Sequence, residues 1–394
     1  MAALLCWAIA LPLIVALSVF SAEAMFGMAR VRPRAFPGAA PATTILMPAH
    51  DESATIERTL GLLAPILSDS IRLLVVADNC SDDTAQLVRV AGYDVIERHD
   101  SEKIGKGHAL AFGRDHLRTA APACVIVLDA DCETDAHSIE ALAKCCVADD
   151  AAVQASDILR PDLFASPKVQ ISNFAFWIKN VVRQRGARRL GGGAVLMGTG
   201  MAFPWAIFES APLATSNIVE DLALGIHLTE TGRAPVFLEQ AVVVSAAATE
   251  SATLGQRTRW EHGFLATAKS HGLRALRVGL GSGNGKLLRL GLHLLVPPLA
   301  LLMVFALAGL VWLGATAFAT GYWSAFWALG IATAIASIAV LLNWLIGGRR
   351  WLGFAALLRL PLYVVWKIPV YLRFAKGRSD TWTRTERPTG GGEP

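Results

Sequence analysis

Three apolar runs restrict what this chain can fold into before any motif is considered. Residues 3–22, 290–313 and 322–346 contain no Asp, Glu, Lys or Arg. Each reaches the roughly 20 residues that a helix needs to cross the hydrocarbon core of a bilayer. The composition agrees, with 54% of the 394 residues hydrophobic and only 17% charged, where ordinary globular domains have about a quarter charged. The expected architecture places a transmembrane helix in 1–28 and two more in 290–346.

Basic residues orient these spans. Arg30, Arg32 and Arg34 follow the first run, Lys286 and Arg289 precede the second, and Arg349 and Arg350 follow the third, while the connection GATAFATG at 314–321 has none. Positive charge gathers on the cytoplasmic side, so the N-terminus and the 314–321 hairpin are expected outside and residues 29–289 inside. No basic segment precedes the first run, which argues for a span rather than a cleaved signal peptide. The segment 347–376 is apolar but carries Arg359 and Lys367, with Pro361 and Pro369 expected to break or bend a helix. It reads as an interfacial or re-entrant helix, since a fourth crossing would carry the basic start of the 377–394 tail outside. The tail's end, RPTGGGEP, reads as disordered. The six cysteines form no CxxC and lie at no zinc spacing, so reduced thiols are expected.

Between about 43 and 250, short apolar runs alternate with amphipathic segments. TTILMPA (43–49), IRLLVVAD (71–78), YDVIER (93–98) and ACVIVLDAD (123–131) read as strands. Helices are expected between them: 53–67 with Ser53 as cap, 81–91, and 106–120. This rhythm predicts an α/β domain over 29–250 with a doubly wound, mostly parallel sheet. In such sheets ligands bind beyond the carboxyl ends of the strands.

Carboxylates stand at three of those ends: Asp51 and Glu52, then Asp78, then Asp129 and Asp131. Taken singly, each also suits a helix cap or a turn. Together they favour a ligand site, and Asp129 beside Asp131 calls for a cation to offset their repulsion. An Asp-x-Asp at a strand end suits Mg2+ or Mn2+ that completes its shell with phosphate oxygens. Glu133 and Asp135 are expected to cap the next helix, and Cys132 to be a small filler. No Gly-rich dinucleotide fingerprint or P-loop is present, and Lys106 in IGKGHAL is either a plain loop lysine or a contact to phosphates.

Further along, Glu220 and Asp221 open a helix, either as residues favoured at its N-terminus or as a carboxylate pair suited to a general base. In TLGQRTRWEHGF, Gln256, Arg259 and Trp260 fall at i, i+3 and i+4 and share one helix face. KVQISNFAFWIKNVVRQRGARRL, residues 168–190, brings Arg183, Arg185, Arg188 and Arg189 to its end, suited to a lipid-linked pyrophosphate or to a plain solvated or lipid-facing helix.

The ordered set Asp78, Asp129-x-Asp131, Glu220-Asp221 and Gln256-x-x-Arg259-Trp260 resembles the D, DxD, ED, QxxRW signature of membrane-bound family 2 glycosyltransferases. These are relatives of cellulose, chitin and hyaluronan synthases with a GT-A fold. The likeness covers roughly residues 43–264, followed by interfacial helices over 251–289. It implies that Asp51, Glu52 and Asp78 bind the nucleoside of a sugar nucleotide, with UDP favoured and GDP the other option. Asp129 and Asp131 would hold the diphosphate through Mg2+ or Mn2+, with Lys106 near the phosphates. Asp221, beside Glu220, would deprotonate the acceptor hydroxyl in an inverting transfer. Gln256, Arg259 and Trp260 would close over the pyrophosphate and the acceptor end, and Gly198-Thr199-Gly200 resembles the small-residue loop beside the acceptor.

Two spans after the QxxRW segment leave little material for a polymer channel. The expected function is therefore addition of one sugar to a lipid-linked or membrane-proximal saccharide acceptor, in cell-surface polysaccharide synthesis at the inner membrane. Membrane lipids are expected partners and nucleic acid is not. The alternatives are a processive synthase of the same family, or a membrane-anchored nucleotide- or lipid-binding protein without turnover.

Overall fold

The structure, a computed structural model, describes residues 2–215, 219–245 and 250–375. The tail expected over 377–394 lies outside them. The chain divides into two compact units. Among the described residues the first unit holds 2–30, 161–192 and 254–375, and the second holds 31–160 with the described part of 193–253.

Helix α1 (Ala2–Phe26) starts the first unit. The second unit then supplies β1 (Thr43–Ala49), α2 (Ile56–Leu63), β2 (Ile71–Asp78), α3 (Thr84–Val90), β3 (Asp94–Arg98), α4 (Lys106–Leu117), β4 (Cys124–Val127), β5 (Cys132–Thr134), α5 (Ala136–Asp149) and β6 (Val153–Leu159). The first unit resumes with α6 (Pro167–Trp177), a π turn (Ile178–Val182) and α7 (Arg183–Arg189). β7 (Met201–Pro204), α8 (Trp205–Ser210), α9 (Glu220–Glu230) and β8 (Val236–Ser245) complete the second. After them come α10 (Glu250–Gly281), α11 (Gly285–Leu294), α12 (Leu299–Thr320), α13 (Ser324–Ile346), α14 (Phe354–Leu357) and α15 (Leu360–Ala375).

In the second unit an eight-stranded sheet runs β3-β2-β1-β4-β7-β6-β8-β5. Strands β3, β2, β1 and β4 are parallel, as the alternating rhythm predicts, with Thr43 opposite both Ile71 and Cys124. From β4 onward the sheet is mixed: β7 pairs antiparallel with both β4 and β6, β6 parallel with β8, and β5 antiparallel with β8. Both faces are covered, so the central strands read as continuous apolar runs. Alternation divides them, Ile45, Met47, Val75 and Ile126 packing on the face covered by α2 and α5, and Leu46, Val76, Val125 and Val127 on the face covered by α4 and α9.

Two local expectations fail here. Helix α2 starts at Ile56 with Thr55, not Ser53, before it and no side-chain cap, the amides of Thr55 and Ile56 both donating to Glu52 O at 2.9 Å. Glu133 caps nothing: it lies on β5 and pairs with Arg58 (2.6 Å) and Arg160. Asp135 is the cap of α5, accepting from the Ser138 amide at 2.7 Å.

In the first unit α1, α12 and α13 are, among the described residues, the helices long and apolar enough to cross a membrane. They expose Leu4, Leu307, Val311, Phe318, Ile331 and Ile338, surface that a bilayer would cover. Where α1 meets α7 the backbones nearly touch. A Cβ on Gly186 would stand 1.9 Å from Glu23 O, and one on Gly27 would stand 2.0 Å from Val182 O. Buried Glu23 accepts from Arg183 at 2.6 Å and lies 2.8 Å from His293 Nδ1. Arg189 donates to Phe26 O and Arg30 O, closing the end of α1. Much of the basic cluster near 183–189 is thus spent on holding α1. Pro361 falls in the first turn of α15, where a missing N–H costs nothing, but the helix also runs through Pro369 instead of breaking there.

Candidate functional site

The site residues of the second unit gather at the carboxyl ends of the parallel strands. β1 runs out into His50, Asp51 and Glu52, β2 ends in Asp78, and β4 leads through Leu128 to Asp129 and Asp131.

The first two ends interlock. Asp51 and Asn79 both adopt positive φ (52° and 53°), a conformation that Asp and Asn tolerate because their short side chains bond locally. Asp51 accepts from the Ser81 amide (2.6 Å) and hydroxyl, Glu52 from Thr55 Oγ1 (2.8 Å), and His50 Nδ1 lies 2.6 Å from Asp78 O. Asp78 is buried against Arg98, whose Nη1 donates to Asp78 Oδ1 at 2.6 Å while its Nη2 donates to Asp100 Oδ2 and Lys103 O. Burial opposes ionisation of Asp82, but hydrogen bonds from Thr84 and Ser53 outweigh it and lower its pKa to about 2.

The second cluster centres on Lys106 at the start of α4. Its Nζ donates to Asp129 Oδ1 and, at 2.8 Å, to Gly198 O. Burial works against this ammonium, yet Asp129, Glu220 and Asp221 outweigh it and raise its pKa above the usual lysine range. Burial pushes the Asp131 carboxyl up to about 6, with the charge of Asp129 adding to the shift. Burial and then Asp221 raise Glu220 to about 8. Glu220 and Asp221 form the first turn of α9, and a Cβ built on Gly198 would meet both Asp221 Oδ2 and Lys106 Nζ at 3.5 Å. One cation is therefore shared by two acidic pairs that are some 90 residues apart in sequence.

The loop 197–200 shapes this cluster. Gly198 and Gly200 have φ of 85° and 62°, which disfavours any residue with a Cβ. Thr199 Oγ1 accepts from the Asp129 amide at 3.1 Å. Gln154, wholly buried on β6, braces the loop from behind: its Nε2 donates to Thr199 O (2.9 Å) and its Oε1 accepts from the Met197 amide (2.9 Å). The sequence reading missed Gln154 and Arg98. Their signal was a polar residue inside a strand, QASDIL and VIER respectively, where burial demands a partner.

The donor set fits a divalent cation. Asp129 and Asp131 bring oxygen atoms within 4.8 Å of each other, hard ligands of the kind Mg2+ and Mn2+ prefer. Cys132 Sγ falls in the same group, but burial raises its thiol well above the usual range, so it stays protonated as a filler.

Gln256, Arg259 and Trp260 share a face of α10 as expected, but α10 from residue 254 belongs to the first unit. There Trp260 packs against Phe176 (5.7 Å between ring centres) and lines a cleft. Neighbouring Arg257, which the sequence reading passed over, is buried and donates to Ser172 Oγ (2.5 Å) and Asn173 Oδ1 (2.9 Å).

Residues 40–263, more than half of the chain, match the model of a family described as glycosyltransferase like family 2. The chain belongs to this glycosyltransferase family. Glycosyltransferase AglD of Haloferax volcanii is 27% identical over 121 residues, 29% of this chain and 19% of that protein. The chain thus matches about a fifth of that relative's length. Among solved structures, the mannosyltransferase PcManGT of Pyrobaculum calidifontis, in complex with GDP-Man and Mn2+, superposes with a TM-score of 0.58 at 18% identity, over 92% of this chain and 99% of that one. Glucosyl-3-phosphoglycerate synthase of Mycobacterium tuberculosis, holding Mn2+, UDP-Glc and phosphoglyceric acid, gives a TM-score of 0.42 at 19% identity, over 59% and 86% of the two chains. The mixed sheet of this family 2 member is accordingly a GT-A fold.

Proposed function

We propose that this chain is an inverting, metal-dependent glycosyltransferase that moves one sugar from a nucleotide-sugar donor to a lipid-linked or membrane-proximal saccharide acceptor. The setting is the cytoplasmic face of the inner membrane, in the synthesis of cell-surface polysaccharide. The observation that carries this reading is the convergence of Lys106 with Asp129, Asp131, Glu220 and Asp221 at one strand edge of a GT-A domain. The likeness to PcManGT, solved with GDP-Man and Mn2+, supports it.

The chain's own residues then divide the work. Asp51, Glu52 and Asp78 border the nucleoside, with Arg98 fixing one oxygen of Asp78 and leaving the carboxylate a defined direction. Asp129 and Asp131 would hold the divalent cation, which when bound offsets the charge of the leaving diphosphate. Lys106 adds a fixed positive charge beside those phosphates. Asp221 takes the proton of the acceptor hydroxyl as that oxygen bonds to the anomeric carbon. The bond from that carbon to the diphosphate breaks on the opposite face, and its electron pair leaves with the nucleotide. Glu220, raised by burial and by Asp221, keeps its own proton near neutrality and so spares the site a second negative charge. Gly198, Thr199 and Gly200 give the acceptor a floor without side-chain bulk, and Gln256, Arg259 and Trp260 keep the pyrophosphate and acceptor roles that their motif implies.

A donor screen with membranes carrying the protein tests this. UDP-sugars are favoured over GDP-sugars, transfer should disappear with EDTA and return with Mn2+, and the product should be a single addition of inverted configuration. Transfer that persists in EDTA would contradict the roles of Asp129 and Asp131, and a ladder of long chains would favour a processive synthase.

A further inference from the structure

Just before α6, the loop 161–166 of the first unit turns two large apolar side chains outward. Phe164 is fully exposed and Leu163 half exposed. The backbone beneath them is held in place. Asp162 Oδ1 accepts from the amides of Phe164 (2.8 Å) and Ala165 (3.1 Å), and Gln170 Nε2 donates to Leu163 O and Ala165 O, both at 2.8 Å. A loop ordered in this way loses little further entropy when a partner covers Phe164.

Gln170 also ties the loop to a level of the unit that can be recognised. Its Oε1 accepts from the Gly353 amide at 3.0 Å, at the entry to α14 and shortly after α13 ends at Ile346. Around that end Arg349 stands 5.2 Å over Trp344, and Arg350 stands 3.8 Å over Trp351, which stacks on Trp177 at 4.8 Å. Tryptophans and basic side chains at the end of a long apolar helix mark the headgroup level of a bilayer. The Leu163-Phe164 loop is therefore fastened at that level.

Apolar surface continues from there. Phe354 and Leu358 are exposed at α14. On α15, Leu362, Val365 and Leu372 recur at i, i+3 and i+10 on one exposed face, while Tyr363, Lys367 and Tyr371 are buried on the other. Lys367 pairs with Glu261 at 2.9 Å, and Lys168, in the first turn of α6, lies 4.6 Å over Trp366. Helix α15 packs along α12, which is long and apolar enough to cross a membrane. The exposed stripe thus adjoins a surface that already calls for lipid, and continuity with it favours lipid over a second copy of the chain.

We propose that Leu163 and Phe164 form a wedge that enters the headgroup–acyl boundary beside α14 and α15, so that the first unit meets the leaflet through an anchored loop as well as through its spans. This rests on α12 and α13 crossing the bilayer and not on the transferase reading.

The test is a nitroxide on Phe164→Cys in the full chain, reconstituted in phosphatidylcholine nanodiscs. The native thiols are buried apart from half-buried Cys80, and the signal of the labelled unsubstituted chain is subtracted. Collisions with molecular oxygen, which concentrates among acyl chains, should exceed those with a water-soluble Ni2+ chelate, as they should at Val311→Cys in α12. The two rates together should place the label about 5–10 Å into the headgroup–acyl boundary. Adding Asp162→Ala, which removes two of the bonds that hold the loop, should raise the label's mobility and shift its collisions toward the chelate. Collisions at position 164 dominated by the Ni2+ chelate would overturn the proposal. Low rates with both reagents, together with dipolar broadening between chains, would show a second copy over the loop and overturn it as well.

Discussion

Lys106 is the residue on which most of the site's electrostatics converge, and the sequence offered no way to choose between a loop lysine and a ligand contact. Its position is set by the Gly105 turn before α4 and by Gly198 O, a contact 92 residues away. The acidic residues themselves were legible, because strand ends in parallel sheets face ligands and carboxylates there stand out. Their pKa shifts were only partly legible. Like-charge neighbours were visible in Asp129-x-Asp131 and Glu220-Asp221, but burial, the larger cause for Asp131 and Glu220, depends on the fold. Both carboxyls are raised above their unfolded values, so in the metal-free protein the stability they contribute at low pH is lost as pH rises through that range. A bound divalent cation should reverse this, since it competes with the proton on Asp131. The rise in Tm on adding Mn2+ should therefore be clearly larger at about pH 7.5 than at about pH 5.5; equal shifts would contradict the placement of the metal at Asp131. Lys106→Met removes a preorganised charge and should cut transfer by about 10²–10³ with the fold retained, read as kcat alongside the thermal unfolding curve.

At the scale of elements, two strands with continuous apolar runs were read from sequence to the residue, 43–49 and 71–78 as β1 and β2, while the run read over 123–131 is strand only at Cys124–Val127. The far half of the sheet was not read, for a physical reason. β6 buries Gln154, Ser156 and Asp157, which hides its strand character from a hydrophobicity reading, and β5 exists only through its pairing with β8, more than a hundred residues away. Glu133 was misassigned for the same cause, since its arginine partners come from α2 and the end of β6. Helix ends moved where loop hydrogen bonds took over the expected cap, as with Ser53. The α1–α7 crossing belongs to this scale too. Gly186→Ala would push a methyl to 1.9 Å from Glu23 O and should destabilise the protein by about 1–3 kcal/mol or more through forced backbone separation. Gly61→Ala, in α2 with nothing within 4 Å of its Cβ, should instead stabilise by about 0.5–1 kcal/mol. Thermal unfolding in detergent would compare the two, and an unchanged or raised Tm in Gly186→Ala would contradict the packing described for Gly186.

For the molecule as a whole, the three long apolar helices were the most legible feature, since length and absence of charge suffice to find them. Less legible was the interleaving of the units. A linear reading assigns 161–192 to the cytosolic domain, yet these residues fall in the unit with the apolar helices. Glu23 meets Arg183 across 160 residues, a pairing that no local pattern announces. The proposed orientation makes a direct prediction: Thr320→Cys should react with a membrane-impermeant maleimide on intact cells, above the background of the native cysteines, and Ser81→Cys only after permeabilisation. Labelling of Ser81→Cys from outside would reverse the topology. The central claim, that the carboxylates of the GT-A unit perform sugar transfer, is tested most directly by assaying Asp221→Asn for transfer and nucleotide binding in parallel. Loss of a general base should lower transfer by about 10²–10⁴ while nucleotide affinity stays close to wild type; transfer that survives the change would contradict the account.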